Sequence, residues 1–244
     1  MQQYGLIGKS LSHSFSKKYF NSFFSQNNID AVYDEFEIHQ IEHVTNILNR
    51  NDLSGLNVTI PYKERIIPFL DELSSEAKEI GAVNTIKITG GKKIGYNTDA
   101  FGFHQSIKPF LTKHHDKAIV FGTGGASKAV TYVLKKIGIE VFFVSRTPDY
   151  RLNQFSYDQL NENMIRSCKL IINTTPLGMY PKIKSCVSLD WKSITDEHFF
   201  MDLIYNPEET LFLKRAKKNN AFTLNGQNML VEQAKKSWGI WTSK

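Results

Sequence analysis

The sequence predicts an α/β protein of two doubly wound domains, and three observations predict it. Over residues 4–60, apolar runs alternate with helix-period segments in the order β-α-β-α-β, the order of a parallel sheet with ligands near the carboxyl ends of its strands. A second alternation of the same kind begins at residue 117. It opens with KAIVFGTGGASKA, Lys117 to Ala129, in which an apolar, β-branched run from Ala118 to Phe121 has the character of a strand buried on both faces. A glycine-rich turn follows and opens a helix near Ser127, the arrangement of an anion-binding turn. At 244 residues the chain can bury two modest cores.

Each element has its own signal. Tyr4 to Gly8 is a short strand, and Ser16 to Gln26 carries Tyr19, Phe20, Phe23 and Phe24 at helical spacing. Val32 to Ile38 alternates as a strand, Ile41 to Leu48 repeats as a helix, and Leu56 to Ile60 is a strand again. Helical segments are expected from Pro61 to Ile80, then a hairpin of Val83 to Ile88 and Lys93 to Tyr96 around Gly90-Gly91. Asp99 to Leu111 reads as a connecting helix. In the second half, Glu140 to Val144, Leu170 to Asn173, Phe199 to Asp202 and Phe222 to Leu224 read as strands. The segment from Thr147 to Gln154 is too short for a crossover, which assigns the helix to Tyr157 to Arg166. Another helix is expected over Glu209 to Lys218. Near the C-terminus, Leu230, Ala234, Trp238 and Trp241 form an apolar helical stripe with Gln233 at its edge.

In the glycine turn, Gly122 permits the tight reversal and Gly124 lets backbone N–H groups approach a diphosphate. The third glycine position of the usual fingerprint holds Ser127, and a plain helix cap beside a glycine turn fits the same residues. The following strand ends in Ser145-Arg146-Thr147, where an acidic side chain would hold a ribose 2′-hydroxyl. A guanidinium and a hydroxyl suit a 2′-phosphate instead, which favours NADP over NAD. A solvated surface arginine is the alternative.

Composition narrows the classes further. No apolar run approaches the ~18 residues of a membrane span, and MQQYGLIGKS lacks a basic segment followed by a long apolar core; a soluble, cytoplasmic protein is expected. Cys168 and Cys186 are the only cysteines and stand in no ligand spacing, so inert thiols are expected and a disulfide framework or zinc site is not. The seven histidines also match no metal-ligand pattern. The formal charge of +6 is spread over scattered lysine pairs, a field that suits steering of small anions at least as well as nucleic acid, which is not expected as a partner.

Four polar clusters lie at predicted strand ends: His13-Ser14-Phe15-Ser16, Asn57-Val58-Thr59, Asn84-Thr85 and Asn97-Thr98-Asp99. Hydroxyls and amides in such places suit a polyhydroxylated acid, although each alone fits a turn or cap. Lys63 and Asp99 are the natural ionisable pair, far apart along the chain. Hydride addition to a carbonyl leaves an alkoxide to be protonated, and a lysine ammonium can stabilise that charge and give up the proton.

The chain resembles the shikimate dehydrogenase family. HSFS at 13–16, NVTIPYK at 57–63, GAVNT at 81–85, NTD at 97–99, GTGGASKA at 122–129, SRT at 145–147, NTTPLGM at 173–179 and NGQNMLVEQA at 225–234 run through nearly its whole length in family order. The resemblance implies NADPH-dependent reduction of 3-dehydroshikimate to shikimate, a step of aromatic amino-acid biosynthesis, by a monomer or homodimer. It makes Lys63 and Asp99 the catalytic pair, with Ser14, Ser16, Asn57, Thr59, Asn84 and Gln233 on the substrate. Gly122, Gly124, Gly125, Ala126 and Ser127 would cradle the diphosphate, with Ser145, Arg146 and Thr147 at the 2′-phosphate. Thr174 belongs to the expected cofactor set, and Tyr205, Met201 and Gly226 would line the substrate or nicotinamide end. The implied domains are a mainly parallel-sheet substrate and catalytic domain, 1–98 completed by 226–244, and a Rossmann NADP domain, 99–225, with the active site expected between them.

Three departures stand out. Lys17 replaces the family's usual proline, the region after Thr147 is about one helix short, and the chain ends soon after Trp241, where many members continue. The second departure leaves Arg151 as the candidate second basic group beside Arg146. Three rivals differ in chemistry. A quinate/shikimate dehydrogenase using NAD is disfavoured by Arg146. An S-adenosylmethionine-dependent methyltransferase wants acidic residues that Val120 and Ser145-Arg146 do not offer. A catalytically silent binding protein would have no use for both Lys63 and Asp99.

Overall fold

The computed structural model describes residues 1–11 and 14–243; His13 of the first polar cluster lies outside them. The chain divides into two compact units, Met1–Phe101 with Gln233–Lys244, and Gly102–Glu232.

In the first unit the elements are β1 (Gln2–Gly8), α1 (Phe15–Gln26), β2 (Ala31–Glu37), α2 (Val44–Leu48), β3 (Leu53–Val58), β4 (Glu72–Leu73), α3 (Ser75–Ile80), β5 (Thr85–Thr89) and β6 (Lys92–Tyr96). They form a six-stranded sheet in the order β2-β1-β3-β5-β6-β4. The first three strands are parallel, and β5 runs antiparallel to β3 and β6. Alternation sorts the central strand to both faces. Ile7 joins Leu56, Val58, Tyr62 and Ile66 on one side, whereas Tyr4 and Leu6 join Phe20, Phe24, Tyr33 and Trp241 on the other. Trp241 comes from the C-terminal helix and donates its ring N–H to the Ile86 carbonyl at 2.9 Å, which anchors that helix to β5.

The second unit contains most of α4 (Asp99–Ile107), then β7 (Lys117–Phe121), α5 (Gly125–Lys136), β8 (Glu140–Val144), β9 (Gln154–Phe155), α6 (Glu162–Ser167), β10 (Leu170–Asn173), β11 (Phe199–Asp202), α7 (Leu211–Lys217), β12 (Phe222–Leu224) and the start of α8 (Gln227–Thr242). Its six-stranded sheet runs β12-β11-β10-β7-β8-β9, parallel throughout. Strands buried on both faces explain the continuous apolar runs. Among the described residues, no helix is long and apolar enough to cross a membrane.

Four expectations are corrected. The helix assigned to Tyr157–Arg166 begins at Glu162, because Asn161 accepts the Met164 N–H and caps it there; Tyr157 lies in the preceding turn and stacks on Phe121. The helix expected from Glu209 starts at Leu211, behind the cap of Thr210. Helix α5 starts at Gly125 rather than near Ser127, with Gly124 at the cap position. The stretch from Pro61 to Ile80 is only partly helical: a 3₁₀ turn at Ile67–Phe69 and the short strand β4 precede α3. Strands β4 and β9 have two residues each, too few for periodicity to register.

Candidate active site

Lys63 and Asp99, far apart in sequence, meet. Lys63 lies in the turn after β3, and Asp99 is the first residue of α4. The Lys63 Nζ donates to Asp99 Oδ2 at 2.6 Å, with 15% and 7% of the two side chains exposed. Lys63 is therefore turned to Asp99 and largely shielded from solvent. Asn97, not Asp99, caps the helix, by accepting the Ala100 N–H at 3.1 Å. The Asp99 carboxylate is thereby left for Lys63 and for Asn84, whose Nδ2 donates to Oδ1 at 2.9 Å. Asn84 is itself fixed by the Thr98 N–H, which donates to its Oδ1 at 2.6 Å.

A buried polar chain continues from this pair. Thr85 and Thr98 hydroxyls lie 2.8 and 3.1 Å from Ser237 Oγ on α8. Asn57 Nδ2 donates to Ser237 Oγ and to Thr85 Oγ1, each at 3.1 Å. Tyr33 then donates its hydroxyl to Asn57 Oδ1 at 2.8 Å. Burial pushes the Tyr33 phenol well up, with a Ser16 hydrogen bond opposing it. Gln233 Oε1 lies 3.4 Å from both Asn84 Nδ2 and Thr98 Oγ1, at the weak limit for hydrogen bonds. Ser14 is the N-cap of α1 and accepts the Ser16 N–H at 3.2 Å. Thr59, just past β3, donates its N–H to the Ile7 carbonyl at 2.9 Å.

Thus the structure brings Lys63, Asp99, Asn84, Asn57, Gln233 and Ser16 into one connected set. Sequence reasoning missed Tyr33 and Ser237 as members, and it placed Thr85 and Thr98 in polar clusters without assigning either a role. Ser237 had a readable signal: it sits four residues after Gln233 and so on the same helix face.

In the second unit, Gly122 has φ +102°, a conformation that disfavours side chains, and a Cβ there would approach Thr174 Oγ1. Thr174 closes the turn by donating its hydroxyl to the Phe121 carbonyl at 2.6 Å. The space a Cβ would fill at Gly124 is open, and no side chain caps α5. The first-turn N–H groups of that helix are thus left without a side-chain acceptor beside open space at Gly124, which fits a diphosphate. Ser127 is buried inside this turn and donates its hydroxyl to the Gly122 carbonyl at 2.8 Å. That bond stabilises the loop in place of the missing third glycine.

Beyond β8, Ser145 is buried and accepts the Thr147 N–H at 3.2 Å, while Arg146 and Thr147 are exposed. The Arg146 guanidinium works against the burial that raises the Tyr157 phenol, which places its charge near that ring. Arg151 is held bidentately by Asp149 at 2.9 and 2.8 Å, so its forked donor pair is already engaged. Met201 is fully buried within β11 and offers no surface to a ligand. Tyr205 is half-buried in the loop after that strand. Gly226 is buried where a Cβ would overlap the Leu203 carbonyl. Burial pushes the Cys168 and Cys186 thiols up to about 12 and about 11, the condition of unreactive thiols.

A glycine turn between strand and uncapped helix, a guanidinium after the next strand, and a lysine held to a carboxylate define a dehydrogenase of two α/β units. Residues 6–86 match the family described as the shikimate dehydrogenase substrate binding domain. The NADP(+) shikimate dehydrogenases of Methanosphaera stadtmanae and Clostridium beijerinckii are 38% and 41% identical, covering 98% and 99% of this chain and 91% and 92% of theirs. Among solved structures, the Aquifex aeolicus shikimate dehydrogenase superposes with a TM-score of 0.89 at 36% identity, covering 99% of this chain and 92% of that one. The Thermus thermophilus shikimate 5-dehydrogenase, in complex with NADP(H) and shikimate, gives 0.88 at 29% identity, covering 99% and 94%. A quinate dehydrogenase from Corynebacterium glutamicum, in complex with NAD, gives 0.86 at 26%, covering 99% and 93%. The chain belongs to the shikimate dehydrogenase family.

Proposed function

We propose that this chain catalyses the reversible, NADPH-dependent reduction of 3-dehydroshikimate to shikimate, a step of aromatic amino-acid biosynthesis. The observation that carries the reading is the Lys63–Asp99 pair at 2.6 Å. NADPH, when bound, supplies the hydride. Gly122, Gly124, Gly125, Ala126 and Ser127 would hold its diphosphate, Arg146 and Thr147 its 2′-phosphate.

The chain's own residues do the rest. As the carbonyl carbon receives hydride, its oxygen gains charge, and the Lys63 ammonium stabilises that oxygen and transfers a proton to it. Asp99 keeps the ammonium in place and is itself fixed by Asn84. Ser14, Ser16, Asn57, Thr59, Asn84 and Gln233 would receive the substrate's hydroxyls and carboxylate, a donor and acceptor set that suits a polyhydroxylated acid. Both cysteines are free thiols, which suits a cytoplasmic setting.

The test follows NADPH and NADH absorbance with 3-dehydroshikimate, then shikimate and quinate in reverse. Oxidation of NADPH with shikimate as the preferred reverse substrate is expected. Preferred use of NADH with quinate would transfer the reading to an NAD-dependent quinate/shikimate dehydrogenase. No oxidation of either nucleotide would overturn it.

A further inference from the structure

Asp202, at the carboxyl end of β11, is a fully buried carboxylate that the chemistry above does not use. Three elements converge on it. Its Oδ1 accepts Asn173 Nδ2 at 3.0 Å, from the end of β10, and the Ile204 N–H at 3.1 Å, from the loop beyond β11. Its Oδ2 accepts the Thr210 hydroxyl at 2.6 Å, and Thr210 in turn caps α7.

The two loops that meet here carry candidate cofactor residues. Asn173 Oδ1 accepts both the N–H and the hydroxyl of Thr175, at 3.0 and 2.7 Å, and so shapes the turn that begins at Thr174. That turn is joined to the glycine loop through the Thr174 hydroxyl on the Phe121 carbonyl. On the other side, the Ile204 carbonyl accepts the Gly226 N–H at 3.0 Å, and Tyr205 follows directly. Desolvation pushes the Asp202 carboxyl up to about 6 in spite of its three donors. A burden of that kind is characteristic of functional sites.

We propose that Asp202 is a positioning residue for the cofactor site, holding the 173–178 turn and the 203–207 loop in the shape that binding requires. The proposal rests on the reading of the second unit as the NADP unit. Asp202 does not touch the cofactor; it acts through Asn173, Ile204 and Thr210. A carboxylate can accept from all three donors at once, which no neutral side chain of this size does without reorienting one of them.

The experiment measures NADPH affinity by fluorescence titration, the KM values for cofactor and for ketone substrate, kcat and Tm, in wild type, Asp202→Asn, Asp202→Ala and Thr210→Val. Asp202→Ala is expected to weaken NADPH binding and raise the cofactor KM by about tenfold or more, the loss expected for hydrogen bonds to a charged group. The ketone-substrate KM should stay within about twofold of wild type. Asp202→Asn, which retains shape and one acceptor, should restore much of the affinity, and Thr210→Val, which removes one donor, should lose about threefold. NADPH affinity unchanged from wild type in both Asp202→Asn and Thr210→Val, whatever their Tm, would overturn the proposal even where Asp202→Ala fails to fold. Equal rises in both KM values would overturn it as well. A wild-type protein that binds neither NADPH nor NADH would instead take down the cofactor reading itself.

Discussion

The two units hold their candidate sites in opposite ways. In the first, side chains do the work: Lys63, Asp99, Asn84, Thr98, Thr85, Ser237, Asn57 and Tyr33 form a continuous hydrogen-bonded chain, nearly all of it buried. In the second, the turn at Gly122–Gly125 offers backbone, and its side-chain candidates Arg146 and Thr147 stand exposed. A buried chain fixes geometry before any ligand arrives but leaves unpaired groups when one member is removed. An exposed guanidinium gives its energy only to a ligand that brings a matching charge. Loss of the buried ionisable pair should therefore damage the chemical step, whereas loss of the exposed charge should damage the choice of cofactor.

The sharpest break falls on the pair itself. Lys63→Ala should lower kcat by ~10² to 10⁴, with a much smaller change in substrate KM, as expected for a lost general acid. An unaltered kcat would remove Lys63 from the mechanism. Next, Arg146→Ala should raise the KM for NADP about 10- to 100-fold and that for NAD far less, the range for hydrogen bonds to a charged group. Equal changes would mean that Arg146 does not recognise the 2′-phosphate.

A stability measurement contrasts the buried carboxylate of the second unit. Native Asp202 keeps its proton up to about pH 6, whereas its ordinary value is 3.8. The native state therefore binds more protons than the unfolded chain between those values. This contribution to stability is complete below pH 3.8 and is lost as pH rises through 6, by up to about 3 kcal/mol. Asp202→Asn cannot ionise, so its Tm relative to wild type should improve from about pH 4 to about pH 8; a constant difference would contradict the burial argument. The smallest effect is expected partway along the first unit's polar chain, away from the ionisable pair. Ser237→Ala should cost about 1 kcal/mol of stability and raise the substrate KM a few-fold with kcat nearly unchanged. A kcat loss as large as that of Lys63→Ala would mean that Ser237 takes part in the chemistry.

Much of this was legible in the sequence because the signals were local. The strands Leu170–Asn173, Phe199–Asp202 and Phe222–Leu224 are where the apolar runs placed them. The glycine turn also falls between its strand and helix, since a positive φ at residue 122 leaves little choice but glycine. What escaped depends on distant partners. Tyr157 has the spacing of a helix residue, yet the Asn161 cap starts the helix after it. Ser237 is an ordinary helix residue until α8 meets Thr85 of β5 and Thr98 just before α4, and the link between those two clustered threonines is visible only there. Asp202 ends an apolar strand and discloses its role only through Asn173 and Thr210.

The central claim is that Lys63 and Asp99 act as one proton-transferring unit, and the pH profile of kcat/KM for Asp99→Asn beside wild type tests it most directly. The carboxylate is bonded to the ammonium at 2.6 Å, so replacing it by a neutral amide is predicted to displace the variant's profile from that of wild type. Superimposable profiles from two active enzymes would contradict that claim.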